Sequence, residues 1–148
     1  MAAHRGPPAP TGARHGRRPA TVGDLALAHR LRAGLRRAVE RNHDGQTGPD
    51  ADLAAVLGEL PITLTWTADG PTLQTSADGI LGALSTIGLA AHQAAADDQW
   101  WRLKICAADD CAWAYYDHSK NRSRTWCEYG CGNKAKTRAY RARQRAGG

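Results

Sequence analysis

Residues 102–145 read RLKICAADDCAWAYYDHSKNRSRTWCEYGCGNKAKTRAYRARQR, and they hold all four cysteines of the 148-residue chain. The thiols fall in two close pairs, Cys106 with Cys111 and Cys127 with Cys131. Four residues separate the first pair, fifteen lie between the pairs, and three separate the second. Tetrahedral zinc asks for such an arrangement, because each short pair can bite one metal from a single turn. Trp101, Leu103 and Ile105 alternate with Arg102 and Lys104, which predicts a strand running into Cys106. The loop 107–110 turns back through Cys111, and Trp113 and Tyr115 alternate with small or polar neighbours on a returning strand. The first pair is therefore expected at the tip of a hairpin, as a zinc knuckle. A polar loop over 117–124 leads to Trp126, which anchors the second pair, and a helix should start near Gly132 or Asn133.

A module of this size buries too little apolar surface to fold reliably unaided, so one structural Zn2+ held by Cys106, Cys111, Cys127 and Cys131 is expected. The helix N-terminus favours thiolates through its partial positive charge. Two disulfides are the main rival, but the N-terminal twenty residues contain no apolar h-region of a secretory signal. A redox switch on the same thiols would share the pattern, whereas the spacing fits neither ferredoxin type of iron–sulfur ligation. A catalytic zinc keeps an open position beside an acid or base. Four thiols close the site, and Asp109, Asp110 and His118 read as knuckle and loop residues. With no nucleophile–base pair or phosphate loop in view, the expectation is a protein that is not an enzyme.

The helix after the second pair is basic. At 100° per residue from Ala135, the residues Ala139, Ala142 and Ala146 fall within about 40° of it, a flat stripe suited to close packing. Lys134, Arg138, Arg141 and Arg145 share one flank, while Lys136 and Arg143 take the other. Such a helix has the size and charge for a major groove or a phosphate backbone, with Arg122 and Arg124 of the preceding loop as further contacts. The charge distribution agrees. Of the net +6, residues 1–20 contribute +4, residues 21–99 contribute −5, and residues 100–148 contribute +7. Duplex DNA is the expected partner; RNA or protein contact through a structural zinc module is the alternative, and a thiol or zinc sensor is a third.

Upstream, residues 1–20 are rich in Pro, Gly, Arg and Ala and are expected to be a disordered basic tail. Thr21 and Asp24 form a capping box, with Asp in place of the usual Glu. They open an amphipathic helix on Leu27, Leu31, Leu35, Ala38 and Val39 that ends near His43. Its arginines are expected on a solvated face. Asp50 caps a short helix that directs Leu53, Val56, Leu57 and Leu60 inward and stops at Pro61. Ile62, Leu64 and Trp66 alternate with threonines as a half-buried strand, and a turn at Asp69-Gly70-Pro71 leads to a partner over Thr72–Ser76. A second long helix to about Asp97 carries the stripe Ile80, Leu81, Leu84, Ile87, Ala91 and Ala95; His92 on it is a packing or surface residue. The fold class expected is α+β: a helical domain with one β-hairpin over 21–99, then a four-cysteine finger over 100–148. No run reaches the ~20 apolar residues of a membrane span, and a cytoplasmic location is expected.

Residues 102–145 also resemble the CGNR zinc-finger domain of bacterial proteins. The resemblance rests on Arg102-Leu103-Lys104-Ile105-Cys106, Cys111, Trp113, Tyr115-Tyr116-Asp117, Ser119, Asn121, Ser123-Arg124, Trp126-Cys127, Cys131-Gly132-Asn133-Lys134-Ala135-Lys136, Arg138, Tyr140-Arg141 and Arg143. Lys134 stands where the family's name-giving Arg sits, which keeps the charge and loses the bidentate fork. The second cysteine pair is one residue tighter than the family's. Residues 21–99 look like a shortened form of the ABATE-type domain that usually precedes this finger. The resemblance implies a zinc-dependent DNA-binding transcriptional regulator, with the N-terminal domain supporting the finger, forming a homodimer or sensing a ligand.

Overall fold

A computed structural model describes residues 19–46 and 48–147; most of the basic tail expected over 1–20 lies outside them. The chain is α+β. Helices α1 (Val22–His43) and α2 (Ala51–Gly58) precede a hairpin of β1 (Ile62–Thr67) and β2 (Gly70–Thr75). Helix α3 (Gly79–Ala96) follows, then a single 3₁₀ turn (Trp100–Arg102), the short strands β3 (Leu103–Ile105) and β4 (Ala114–Tyr116), and helix α4 (Cys131–Ala146). Each strand pair is antiparallel and forms its own two-stranded sheet.

The capping box holds: the Thr21 side chain accepts from Asp24 N–H at 3.1 Å, and the Asp24 carboxylate accepts from Thr21 N–H at 2.8 Å. Asp50 caps α2 by accepting from Leu53 N–H at 2.8 Å. Leu31, Val56, Leu60 and Leu84 form the buried centre where α1, α2 and α3 meet, with Leu27, Leu35, Leu53, Leu57 and Ile62 packed around it. Close approach is bought with glycine. A Cβ at Gly34 would stand 2.9 Å from Leu53 Cδ1, so α1 and α2 pack almost backbone to side chain.

At Gly82 a Cβ would lie 2.2 Å from the Ala77 carbonyl oxygen, a backbone atom that cannot rotate away. Gly82→Ala is therefore expected to destabilise by about 1–3 kcal/mol. Gly58→Ala meets open space in a helix, and should be neutral or stabilise by up to ~1 kcal/mol. Thermal melts followed by circular dichroism check both; equal melting temperatures for the two variants would refute the packing account.

The arginines of α1 lie largely on a solvated face, as expected, with Arg30, Arg32 and Arg36 exposed, and they pair with acids along it. Arg30 makes a two-pronged pair with Glu59 (2.7 and 3.1 Å), Arg37 and Arg41 converge on Asp50, and Arg36 reaches Glu40. The Arg37 hydrogen bond, helped by Leu53 N–H, holds the Asp50 carboxyl well below the usual carboxylate range. Nearby acids, Glu59 and Asp50 distant in sequence and Glu40 one turn away, draw these side chains along the surface. The C-terminal end of α1 also carries the next module. Asn42 Nδ2 donates to the carbonyls of Trp100 (2.9 Å) and Leu103 (3.2 Å), and Arg36 donates to the Ala112 carbonyl at 3.0 Å.

Three expectations are corrected. The hairpin register pairs Leu64 with Leu73 and Trp66 with Pro71, but Leu64 is 67% and Trp66 82% exposed, so β1 is not half-buried along its apolar alternation. Of its alternating apolar residues only Ile62 joins the core, where it lies beside Gly88 of α3. On α3 the buried residues are Gly82, Leu84, Ser85 and Gly88, while Ile87 is exposed. Gly88 lets Leu60 approach, since a Cβ there would stand 3.0 Å from Leu60 Cδ1. Finally, Trp101 lies on the 3₁₀ turn, so the strand into Cys106 begins only at Leu103.

Candidate metal centre and basic helix

Strands β3 and β4 pair Leu103 with Tyr116 and Ile105 with Ala114, and Cys106 N–H extends the ladder to the Trp113 carbonyl at 2.9 Å. Cys111 N–H closes the knuckle on the Ala108 carbonyl at 3.0 Å, and Ala112 turns out of it with φ of 51°. The second pair is set by Gly130, whose φ of 83° turns the chain into α4; Asn133 and Lys134 N–H both bond its carbonyl at 3.1 Å. Cys131 is the first residue of α4, one or two earlier than the sequence suggests.

The four sulfurs lie within 4.8 Å of one another. A tetrahedral ion with Zn–S bonds of about 2.3 Å separates its sulfurs by roughly 3.75 Å. Cys111 and Cys127 stand 3.7 Å apart, Cys127 and Cys131 3.6 Å, so the donor set fits one zinc ion. All four are free thiols, not disulfides. Cys106, Cys127 and Cys131 are buried, and Trp126 covers the cluster beneath Gly132. Cys127 N–H points at Cys106 Sγ at 3.4 Å. Burial works against a Cys106 thiolate, but N–H donors of Cys127 and Ala108 outweigh it and bring the thiol down to about 7. The crowding sulfurs of Cys127 and Cys111 push Cys131 up to about 12, the mutual repulsion that a shared cation relieves. Among the described residues no acid or base joins the set.

Beside the sulfurs sits a second constellation that the sequence reading left without a role. Asp117 is fully buried. Its carboxylate accepts from Lys104 Nζ at 2.8 Å, Ser119 N–H at 2.9 Å and Arg124 N–H at 3.0 Å. Burial opposes its ionisation, yet these donors, Lys104 first, hold it well below the usual carboxylate range. Lys104, itself buried, also donates to the Arg122 carbonyl, and Tyr115 Oη donates to the Arg124 carbonyl at 2.6 Å. Burial and then the Asp117 charge push the Tyr115 hydroxyl up to about 12, which keeps it a donor. This network fixes the loop 117–126 that delivers Trp126 and Cys127. Its signal was the alternation Arg102-Leu103-Lys104-Ile105, which assigns Lys104 the outer face but cannot show a buried carboxylate waiting there.

The cations proposed from sequence divide into two sets. Arg122 pairs with Asp98, and Arg124 Nε donates to the Trp126 carbonyl at 2.8 Å while its guanidinium lies 5.4 Å from the Tyr115 ring centre. Both are only partly exposed and engaged within the protein. Lys134, Lys136, Arg138, Arg141, Arg143 and Arg145 on α4 are all exposed, and Arg138 alone of these makes an ion pair among the described residues, a 3.3 Å surface contact with Asp110. The alanine stripe does not pack as expected: Ala135 is half-buried, but Ala139, Ala142 and Ala146 are exposed. Equal spacing aligns alanines without supplying a neighbour, and α4 projects from the metal centre into solvent.

No curated protein is similar enough to this chain to count as a relative. Residues 102–144, the segment that carries the four thiols, the Asp117 network and most of α4, match the model of the CGNR zinc finger.

Proposed function

We propose that the finger binds duplex DNA through α4 and that the protein is a transcriptional regulator. The observation that carries this reading is α4 itself: six Lys or Arg, no acid, and full exposure from Lys136 onward. Sixteen residues make a rod of about 24 Å, narrow enough for a ~12 Å major groove. The metal centre holds only its N-terminal end, so both basic flanks stay free to meet phosphates. Because Arg122 and Arg124 are engaged internally, the phosphate contacts fall chiefly to α4. Residues 21–99, ABATE-like in this reading, support the finger, and the protein works in the cytoplasm.

The test is fluorescence anisotropy of the zinc-loaded full chain with a mixed duplex pool, titrated in salt, with an equal-length RNA alongside. Contacts to four to six phosphates give a slope of log K against log salt of about −4 to −5. The variant Lys134/Arg138/Arg141/Arg145→Ala should abolish binding, and its exposed positions leave the fold intact. Duplex binding no tighter than ~100 µM would defeat the proposal. Preference for the RNA would replace it with an RNA-binding role.

A further inference from the structure

We propose that the apolar face formed by the β1–β2 hairpin and α3 docks on the same face of a second copy of this chain. The face is large and uncovered. Leu64 (67%), Trp66 (82%) and Ile87 (47%) are exposed, and Leu73 is partly so. Between hairpin and helix runs a groove of about 640 Å³, walled by Leu64, Pro71 and Leu73 on one side and Leu89 and Ala90 on the other. Trp66 stands at its rim, directly opposite Pro71 in the strand register.

A knob and a groove on one face are what a twofold contact needs. In an isologous interface each copy offers both, so Trp66 of each fills the groove of the other. Charge favours the same occupant. Residues 60–96 contain no Lys or Arg, and their only acids are Asp69 and Asp78. Neither acid lines the groove, so its walls can meet their own copies without strong repulsion even in a chain of net charge +6. An anionic membrane would instead select basic residues beside the apolar face, and residues 60–96 supply none. The hairpin also has open edges, since β1 and β2 pair only with each other among the described residues, and a lone two-stranded ribbon gains from added strands.

The area sets the strength. The hairpin is about 20 Å long and α3 about 27 Å. With faces some 10 Å wide, two copies together cover on the order of 1,000 Å², the lower limit for a specific interface. The dimer is thus expected to be weak and reversible, at the low end of specific association.

Sedimentation equilibrium of the zinc-loaded full chain, without nucleic acid, from 1 to ~300 µM tests this. The expected result is a monomer–dimer equilibrium that Trp66→Ser weakens by about 30-fold, as loss of a central aromatic anchor does. Leu64→Glu should weaken it similarly by placing two like charges across the twofold, whereas Tyr140→Ser on α4 should leave it unchanged. Circular dichroism melts confirm that these surface variants fold. A chain that stays monomeric at ~300 µM, or a dimer indifferent to Trp66→Ser and Leu64→Glu, would overturn the proposal. So would a monomer whose Trp66 fluorescence responds to neutral phosphatidylcholine vesicles, which would make the face a lipid-binding one.

Discussion

Stripping zinc from the protein is expected to unfold residues 103–146 while α1, α2, α3 and the first hairpin keep their structure. The reason lies in what the finger has for a core. Its buried cluster is Cys106, Tyr115, Cys127 and Cys131, with Ala108, Cys111 and Trp126 packed against it, so three of four central residues are ligands. Without the ion, thiols held 3.6–3.7 Å apart are crowded donors with little apolar surface behind them. Helix α4 has even less support. Exposed beyond Ala135 and anchored chiefly through its first turn, a 16-residue helix of this composition is marginal in water. The Leu31–Val56–Leu60–Leu84 core contains no thiol and does not depend on the metal. Far-ultraviolet circular dichroism should thus lose about a quarter of its helical signal on chelation, the share α4 holds among the four helices. Adding back one equivalent of zinc should restore it. Cys127→Ser should mimic the loss permanently, because that sulfur contacts two of the other three. Elemental analysis giving one zinc per chain, and none in the variant, checks the stoichiometry. Retention of the α4 signal in chelator would show that the finger folds on protein contacts alone.

The parts of this protein that could be read in its sequence are those fixed by local spacing. Four cysteines in two short pairs determine a donor set wherever the chain goes, and the sulfurs do converge. Thr21 with Asp24, and Asp50 with Leu53, are contacts over three residues, so their caps were legible too. Two of the misreadings share one cause. Periodicity tells which residues share a face, not whether anything lies against it. Leu64 and Trp66 do share a face, and so do Ala139, Ala142 and Ala146, yet both faces are bare. The same limit hid Lys104. Alternation placed it opposite Leu103 and Ile105, but the far side of β3 is closed by a loop whose Asp117 lies thirteen residues on. Pairings of this kind are decided by how a loop closes.

Asp117→Ala is expected to cost the finger about 3–5 kcal/mol, the usual penalty for removing one member of a buried ion pair. The substitution leaves Lys104 buried, with only the carbonyls of Arg122 and Arg124 near its ammonium, and strips Ser119 and Arg124 N–H of their acceptor. Those N–H groups shape the loop that brings Cys127 to the metal, so the loss should surface as weaker zinc retention in a chelator competition. Asp117→Asn keeps the shape and one acceptor and should cost less. Lys104→Met should also be severe, because it leaves the carboxylate buried with only its two N–H donors. The double variant Lys104→Met/Asp117→Asn should be less damaged than the two single costs added together, since neither buried charge is then orphaned. The pH dependence has a defined sign. The folded carboxyl titrates below its unfolded value of about 3.9, so its stabilisation is complete above that pH and fades as the pH falls toward the folded value. Denaturant unfolding of the zinc-loaded finger should hence weaken below about pH 4 in the natural chain, and Asp117→Asn should remove that part of the acid slope. Near-additive costs in the double variant would show that Lys104 and Asp117 act separately, and that the loop is held by its backbone hydrogen bonds and not by the pair.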